Sequence, residues 1–93
     1  MEKRIGSISI LVSNREIVHQ VNQILSEYST LIMARQGLPL RDYGLHFISL
    51  IIEGTNAEIS ALTGKLGRLP NVEAKSMVAK SCHHNYTSHL NIN

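Results

Sequence analysis

Four potential metal ligands lie close together near the end of this 93-residue sequence. Cys82, His83 and His84 are consecutive, and His89 follows five residues later. Thiolate and imidazole are suitable donors for zinc or nickel. However, the spacing matches no standard site, so the pattern favours a solvated tail over a metal site. His46 is a further metal candidate, but as a strand residue it is more often hydrogen-bonded at an edge or interface.

The stretch from Gly64 to Arg68 resembles part of a phosphate-binding loop. Such a loop needs a glycine five residues before the Gly-Lys pair and a Ser or Thr directly after it. Ile59 and Leu66 occupy these two positions. The stretch also falls late in a predicted helix, whereas phosphates bind at helix N-termini. A close-packed helix end with solvated cations is favoured, and a contact with an anion is the alternative.

No set of catalytic residues is visible. Serines and histidines are present, but there is no nucleophile-elbow motif. The closest carboxylates, Glu53 and Glu58, flank a predicted helix start, where negative charge offsets the helix dipole. The sequence therefore predicts a protein that is not an enzyme and that needs no cofactor.

Composition narrows the classes of partner. The net charge is only +2, which is too small to indicate nucleic acid by itself. A single cysteine excludes an internal disulfide framework and fits a reducing cytoplasm. The longest apolar run, residues 45–52, is far short of the roughly 20 residues that span a bilayer. Six basic residues could still form a patch for nucleic acid, although a solvated surface is favoured: Arg35, Arg41, Lys65, Arg68, Lys75 and Lys80.

Hydrophobic periodicity predicts six elements in the order strand, helix, strand, strand, helix, strand. Each helix is preceded by a Ser/Thr-x-x-Glu capping box, starting at Ser13 and at Thr55. The pattern is that of a ferredoxin-like βαββαβ fold, with a four-stranded antiparallel sheet and two helices on one face. We expect this domain in residues 1–80 and a polar tail in residues 81–93. The predicted strands are 5–12, 31–36, 45–53 and 72–78, and a loop covers 37–44. The first helix is expected to have about three to four turns, with its apolar stripe from 17 to 28, and the second to run from about 56 to 69.

The third strand, residues 45–52, is apolar on both faces. Such a strand is usually covered on both sides, but two helices cover only one face of the sheet. The second face is therefore expected to meet another copy of the protein. Either face could be the covered one, and the interface candidates are Phe47, Ile48, Leu50 and Ile52.

Three stretches resemble one family. They are Arg35 to Pro39 with Gly44, Ile48 to Thr55, and Ile59 to Val72, in which Leu-Thr-Gly-Lys-Leu-Gly-Arg-Leu-Pro is the most specific part. The opening Arg4-Ile5-Gly6 is similar as well. The sequence resembles the iron-only hydrogenase system regulator family of small bacterial proteins, which is related to ACT-like domains and to the C-terminal domains of nickel-responsive regulators. The resemblance covers about residues 3 to 80.

The resemblance implies a cytoplasmic, ligand-sensing transcriptional regulator that assembles into dimers or tetramers. Together with the glycines inside the second helix, it suggests a subunit-interface site for an anionic small molecule. The tentative ligand-binding residues are Arg35, Gly37, Pro39, Gly44, Gly64, Lys65, Gly67 and Arg68. A nickel or zinc switch and weak nucleic-acid binding are the alternatives. The chain lacks both the histidine cluster of nickel regulators and a DNA-binding segment ahead of the domain, so neither is favoured.

Overall fold

The computed structural model describes residues 2–80, and the predicted order of elements is confirmed. Short 3-10 turns at Arg15–Ile17, Ser29–Leu31 and Arg41–Tyr43 join the longer elements. The polar tail and the histidines within it lie outside the described residues. The elements are β1 (Arg4–Val12), α1 (Val18–Glu27), β2 (Ile32–Leu40), β3 (Leu45–Gly54), α2 (Asn56–Gly67) and β4 (Val72–Val78).

The four strands form one antiparallel sheet in the order β2-β3-β1-β4. Side chains of a strand alternate between faces, and in this sheet one face is buried under both helices. At its centre Ile10 pairs with Ile48 of β3 and with Ala74 of β4. This is the ferredoxin-like arrangement that the sequence predicts. The core consists of Ile8, Ile10, Val12, Ile17, Val21, Leu25, Ile48, Leu50, Ile52, Ile59, Leu62, Leu66 and Val72.

The orientation of β3 corrects part of the interface prediction. Ile48, Leu50 and Ile52 are completely buried against the helices of their own chain. They therefore have no exposed surface left for a partner, and the prediction that they form an interface is wrong. Phe47 and Ile51 point to the opposite face and remain 39% and 42% exposed. We call this opposite side of the sheet the open face.

Strand β2 is longer than the sequence predicts. Residues 37–40 continue the ladder, with Gly37 opposite Ile48 and Pro39 opposite His46, so the predicted loop over 37–44 is wrong in its first half. Proline is tolerated because β2 is an edge strand and needs no second ladder of hydrogen bonds. The turn itself is the short 3-10 segment and Gly44, whose φ of 66° lies in the left-handed region.

The two helix starts differ. The capping box at Thr55 is confirmed, because Thr55 and Glu58 each accept a backbone hydrogen bond from the other. The capping box at Ser13 is wrong. The side chain of Asn14 accepts from the Glu16 N–H at 3.0 Å and caps a 3-10 turn that precedes α1. Ser13 instead donates its hydroxyl to the Asn71 carbonyl.

Helix α2 ends at Gly67, two residues earlier than predicted. A β-carbon added at Gly64 or Gly67 would meet no atom within 4 Å. Nothing within residues 2–80 packs closely against these two glycines, so the close packing that the sequence suggests is absent there. Among residues 2–80, no helix has the length and apolarity needed to cross a bilayer.

Candidate functional site

A cleft of about 610 Å³ lies at the end of the sheet where β1 finishes and β3 begins. Its volume falls in the range of roughly 300–1,000 Å³ that small-molecule sites occupy. We call it the end cleft. Its lining consists of Val12, Ser13, Asn14, Arg15, Pro39, Arg41, Gly44, Leu45, His46 and Asn71.

Strand pairing brings these distant segments together. Val12, the last residue of β1, lies opposite His46 of β3 and Val72 of β4. Pro39 of β2 lies opposite the same His46. All four strands therefore contribute to or border the end cleft. The lining residues come from positions as far apart as 12 and 71 in the sequence.

Backbone geometry shapes the walls of the cleft. Within residues 2–80, the two residues with positive φ are Gly44 and Asn71, and both line it. Asparagine tolerates the left-handed region better than most side chains do. The Asn71 carbonyl accepts two hydrogen bonds from Ser13, from its N–H at 2.9 Å and from its hydroxyl at 3.3 Å. This contact ties the end of β1 to the turn before β4.

The cleft is positively charged. Arg15 and Arg41 are exposed, His46 is half-buried, and no carboxylate belongs to the lining. In residues 2–80, neither arginine has a carboxylate oxygen within the 4.0 Å of an ion pair. Both guanidinium groups can therefore donate hydrogen bonds to a ligand without first breaking an ion pair.

Some of the residues that the sequence predicts as a ligand site lie at the end cleft, and others lie elsewhere. Pro39 and Gly44 line the end cleft. Gly37 lies beside it, since a β-carbon there would be 3.4 Å from Nε2 of His46. Arg35 does not line it, because its guanidinium donates to Oδ1 of Asn22 on α1 at 2.8 Å.

The residues at the end of α2 lie elsewhere. Lys65 forms an ion pair with Glu27 of α1 at 3.0 Å and lies 5.6 Å from the ring centre of Tyr28. The hydrogen bond and the charge of Glu27 raise the pKa of Lys65 above its ordinary value. Gly64, Gly67 and Arg68 are exposed. Within one chain they do not join the cleft, and a site shared between subunits stays a prediction.

Sequence patterns missed Asn14, Arg15 and Asn71 as site residues. The signal that was available is their position directly after β1 and directly before β4, where turn residues sit at the ends of strands. Arg41 was noted only as part of a basic patch. The six basic residues do not form one patch, because Lys75 lies on the open face and Arg35 lies on the helix side.

No group of three metal-ligating side chains occurs among the described residues. His46 lines the cleft without a second histidine or a cysteine in that lining. Cys82, His83 and His84 fall outside residues 2–80. A nickel or zinc site in the tail therefore stays a prediction from the sequence.

Structural comparison supports the fold. The solution structure of the ACT domain from GTP pyrophosphokinase of Chlorobium tepidum matches with a TM-score of 0.69 at 18% identity, covering 90% of this chain and 97% of that one. The C-terminal domain of the MgtC protein from Mycobacterium tuberculosis matches with a TM-score of 0.65 at 10% identity, covering 87% and 93%. At these identities the similarity shows the fold alone.

Sequence comparison shows the family. No protein of curated function matches the sequence. The structure of an uncharacterized protein, TM1266 from Thermotoga maritima, matches with a TM-score of 0.82 at 38% identity and covers 85% of this chain and 100% of that one. The model of the TM1266-like family matches residues 4–76. The chain therefore belongs to the TM1266-like family of proposed iron-only hydrogenase system regulators.

Proposed function

We propose that this chain is a non-enzymatic regulatory domain of the iron-only hydrogenase system. In this proposal it self-associates through the open face and senses a small molecule in the end cleft. The family and the ACT-like fold support the regulatory role. The observation that carries the proposal is the apolar surface of the open face, which no element among residues 2–80 covers.

The open face contains two apolar rows separated by a polar row. One row across the sheet is apolar at Leu38, Phe47 and Leu11 and ends at Glu73 on β4. The polar row is Gln36, Ser49, Ser9 and Lys75. The other row is apolar at Ala34, Ile51 and Met77, with Ser7 between the last two. Leu38 is 57% exposed and Met77 is 72% exposed. Clustered apolar side chains that are exposed and bordered by polar residues are typical of a protein–protein interface.

A second copy is the partner that fits this surface. Among residues 2–80 the helices cover one face of the sheet, whereas a strand that is apolar on both faces is usually covered on both sides. A dimer in which two open faces pack together buries the central strands on both sides, and its interface is self-complementary by symmetry. The paired apolar rows then form a core between the two sheets.

Sedimentation velocity tests self-association directly. At tens of micromolar, we expect the wild-type chain to sediment as a dimer or a larger assembly. Ile51→Lys places a charge in the buried interface and is expected to weaken association by roughly tenfold or more. Ser26→Lys, on the exposed side of α1, is the control and should leave association unchanged. A wild-type monomer at this concentration contradicts the proposal, as does normal assembly of Ile51→Lys.

A further inference from the structure

We infer that the end cleft binds a small organic dianion, such as a phosphate monoester or a dicarboxylate, and discriminates against zwitterions such as free amino acids. This inference rests on the proposed ligand-sensing function and adds the chemical class of the ligand. It depends on Arg15 and Arg41, which were absent from the site that the sequence suggests.

The two arginines reach the cleft from different parts of the fold. Arg15 begins the turn after β1, and Arg41 begins the turn at the tip of the β2–β3 hairpin. The cleft is therefore lined by an arginine on each of two different segments of the fold. A guanidinium is planar and donates paired hydrogen bonds that match the geometry of a carboxylate or phosphate. A ligand with two negative charges can engage both groups, whereas a monoanion engages one.

The acidic residues next to these arginines in the sequence form no ion pair with them. Glu16 follows Arg15, and Asp42 follows Arg41, but neither carboxylate is within ion-pair distance of either guanidinium. Neither acidic residue belongs to the lining of the cleft. Within residues 2–80, a bound anion therefore displaces no carboxylate from either arginine.

The neutral polar groups add donors to the same surface. Oδ1 of Asn14 already accepts the Glu16 N–H, so its amide nitrogen is left to donate. The carbonyl of Asn71 already accepts from Ser13, while its side-chain amide is free of hydrogen bonds within residues 2–80. The ring of His46 supplies a further donor whether neutral or protonated.

The residues that line the cleft disfavour a zwitterionic ligand. The ammonium group of an amino acid is bound best by a carboxylate, and no carboxylate of residues 2–80 lines the cleft. Two positive guanidiniums nearby also repel an ammonium group. Val12, Pro39 and Leu45 provide apolar contact area in the lining, which suits a ligand with a short carbon skeleton between or beside its charged groups.

Titrations followed by amide chemical shifts in solution NMR test the inference on the full chain. The probes are glycerol phosphate, succinate and leucine, added at constant ionic strength. We expect one or both dianions to shift amides within 12–15, 39–46 and 71, and leucine to cause no shift there at equal concentration. Arg15→Gln and Arg41→Gln should each weaken binding of the dianion by roughly tenfold. Arg68→Gln, which removes the same charge outside the cleft, should not change it.

The outcomes separate this inference from the proposed function. If glycerol phosphate binds and succinate does not, the dianion is a phosphate monoester; the reverse identifies a dicarboxylate. If leucine binds in the cleft and the dianions do not, ligand sensing stands and the dianion inference is wrong. Equal loss of binding in Arg68→Gln shows general charge attraction and overturns the site. If no probe shifts a cleft amide, the inference fails, while sedimentation still decides self-association.

Discussion

A hydroxyl and a carboxylate close the N-terminus of α2. Oγ1 of Thr55 accepts the Glu58 N–H at 3.1 Å, and the Glu58 carboxylate accepts the Thr55 N–H at 2.8 Å. The first N–H groups of a helix have no partner within the helix. The reciprocal pair satisfies two donors and also places a negative charge near the positive end of the helix dipole. Residue type and spacing are sufficient to predict this interaction, because both residues lie within one helical turn.

Thr55→Ala should therefore lower the free energy of unfolding by about 1 kcal/mol, because it leaves the Glu58 N–H without its side-chain acceptor. Urea denaturation measures the change. Ser13→Ala is the matched control, since Ser13 has the same sequence context but makes a weaker contact with Asn71 and caps no helix. We expect a change within about 0.5 kcal/mol for this control. Equal losses in both variants would contradict the assignment of the caps.

At the level of secondary-structure elements, α2 carries two glycines that its own packing does not require. Gly64 is exposed in the interior of the helix, and the space where a side chain would stand is open. Gly6 in β1 is the opposite case. A β-carbon there would lie 2.7 Å from the Met77 carbonyl oxygen of β4. The close approach of these two strands therefore depends on Gly6.

Gly64→Ala should raise the free energy of unfolding by roughly 0.5–1 kcal/mol, because alanine loses less backbone entropy in a helix and meets no neighbour. Gly6→Ala should lower it, because the backbone of β4 must move away. Urea denaturation of both variants, at the same protein concentration, tests the opposite signs. Stabilisation by Gly6→Ala, or a loss of stability in Gly64→Ala, is the contradicting result. The second outcome would indicate that a partner packs on α2.

For the whole molecule, β3 contributes one face to the core of the single chain and the other to the face that we propose for assembly. Leu50 is fully buried beneath the helices, while its neighbour Ile51 lies on the open face. The first residue supports the single chain, and the second keeps 42% of its surface for the proposed partner. Because a domain is stabilised by only about 5–15 kcal/mol, the loss of one core side chain has a large effect.

Leu50→Ala should lower the free energy of unfolding by roughly 2–5 kcal/mol, through lost burial and the cavity that remains. Ile51→Ala should change it by less than about 1 kcal/mol when the chain is dilute enough to be a monomer, because its side chain is already partly in water. Denaturation at low protein concentration measures both effects. If Ile51→Ala is as destabilising as Leu50→Ala in the monomer, Ile51 belongs to the core of the single chain, and the division of β3 into a core face and an open face is wrong.

Local sequence patterns were sufficient to predict the order of the elements, the ferredoxin-like fold and the cap at Thr55. Strand and helix periods differ, and each capping contact joins residues three positions apart. Local patterns were not sufficient for β2. Gly37 and Pro39 are typical of a loop, but pairing with β3 outweighs their weak strand preference at a sheet edge.

The covered face of β3 and the end cleft depend on contacts between distant residues. Both faces of β3 are apolar, so its sequence does not indicate which face the helices cover. The position of the helices decides that Ile48, Leu50 and Ile52 are buried. Arg15 and Arg41 meet at one cleft only because β1 and β3 pair with Val12 opposite His46. The residue types were visible in the sequence, but their convergence follows from the register of the sheet, which the tertiary packing sets.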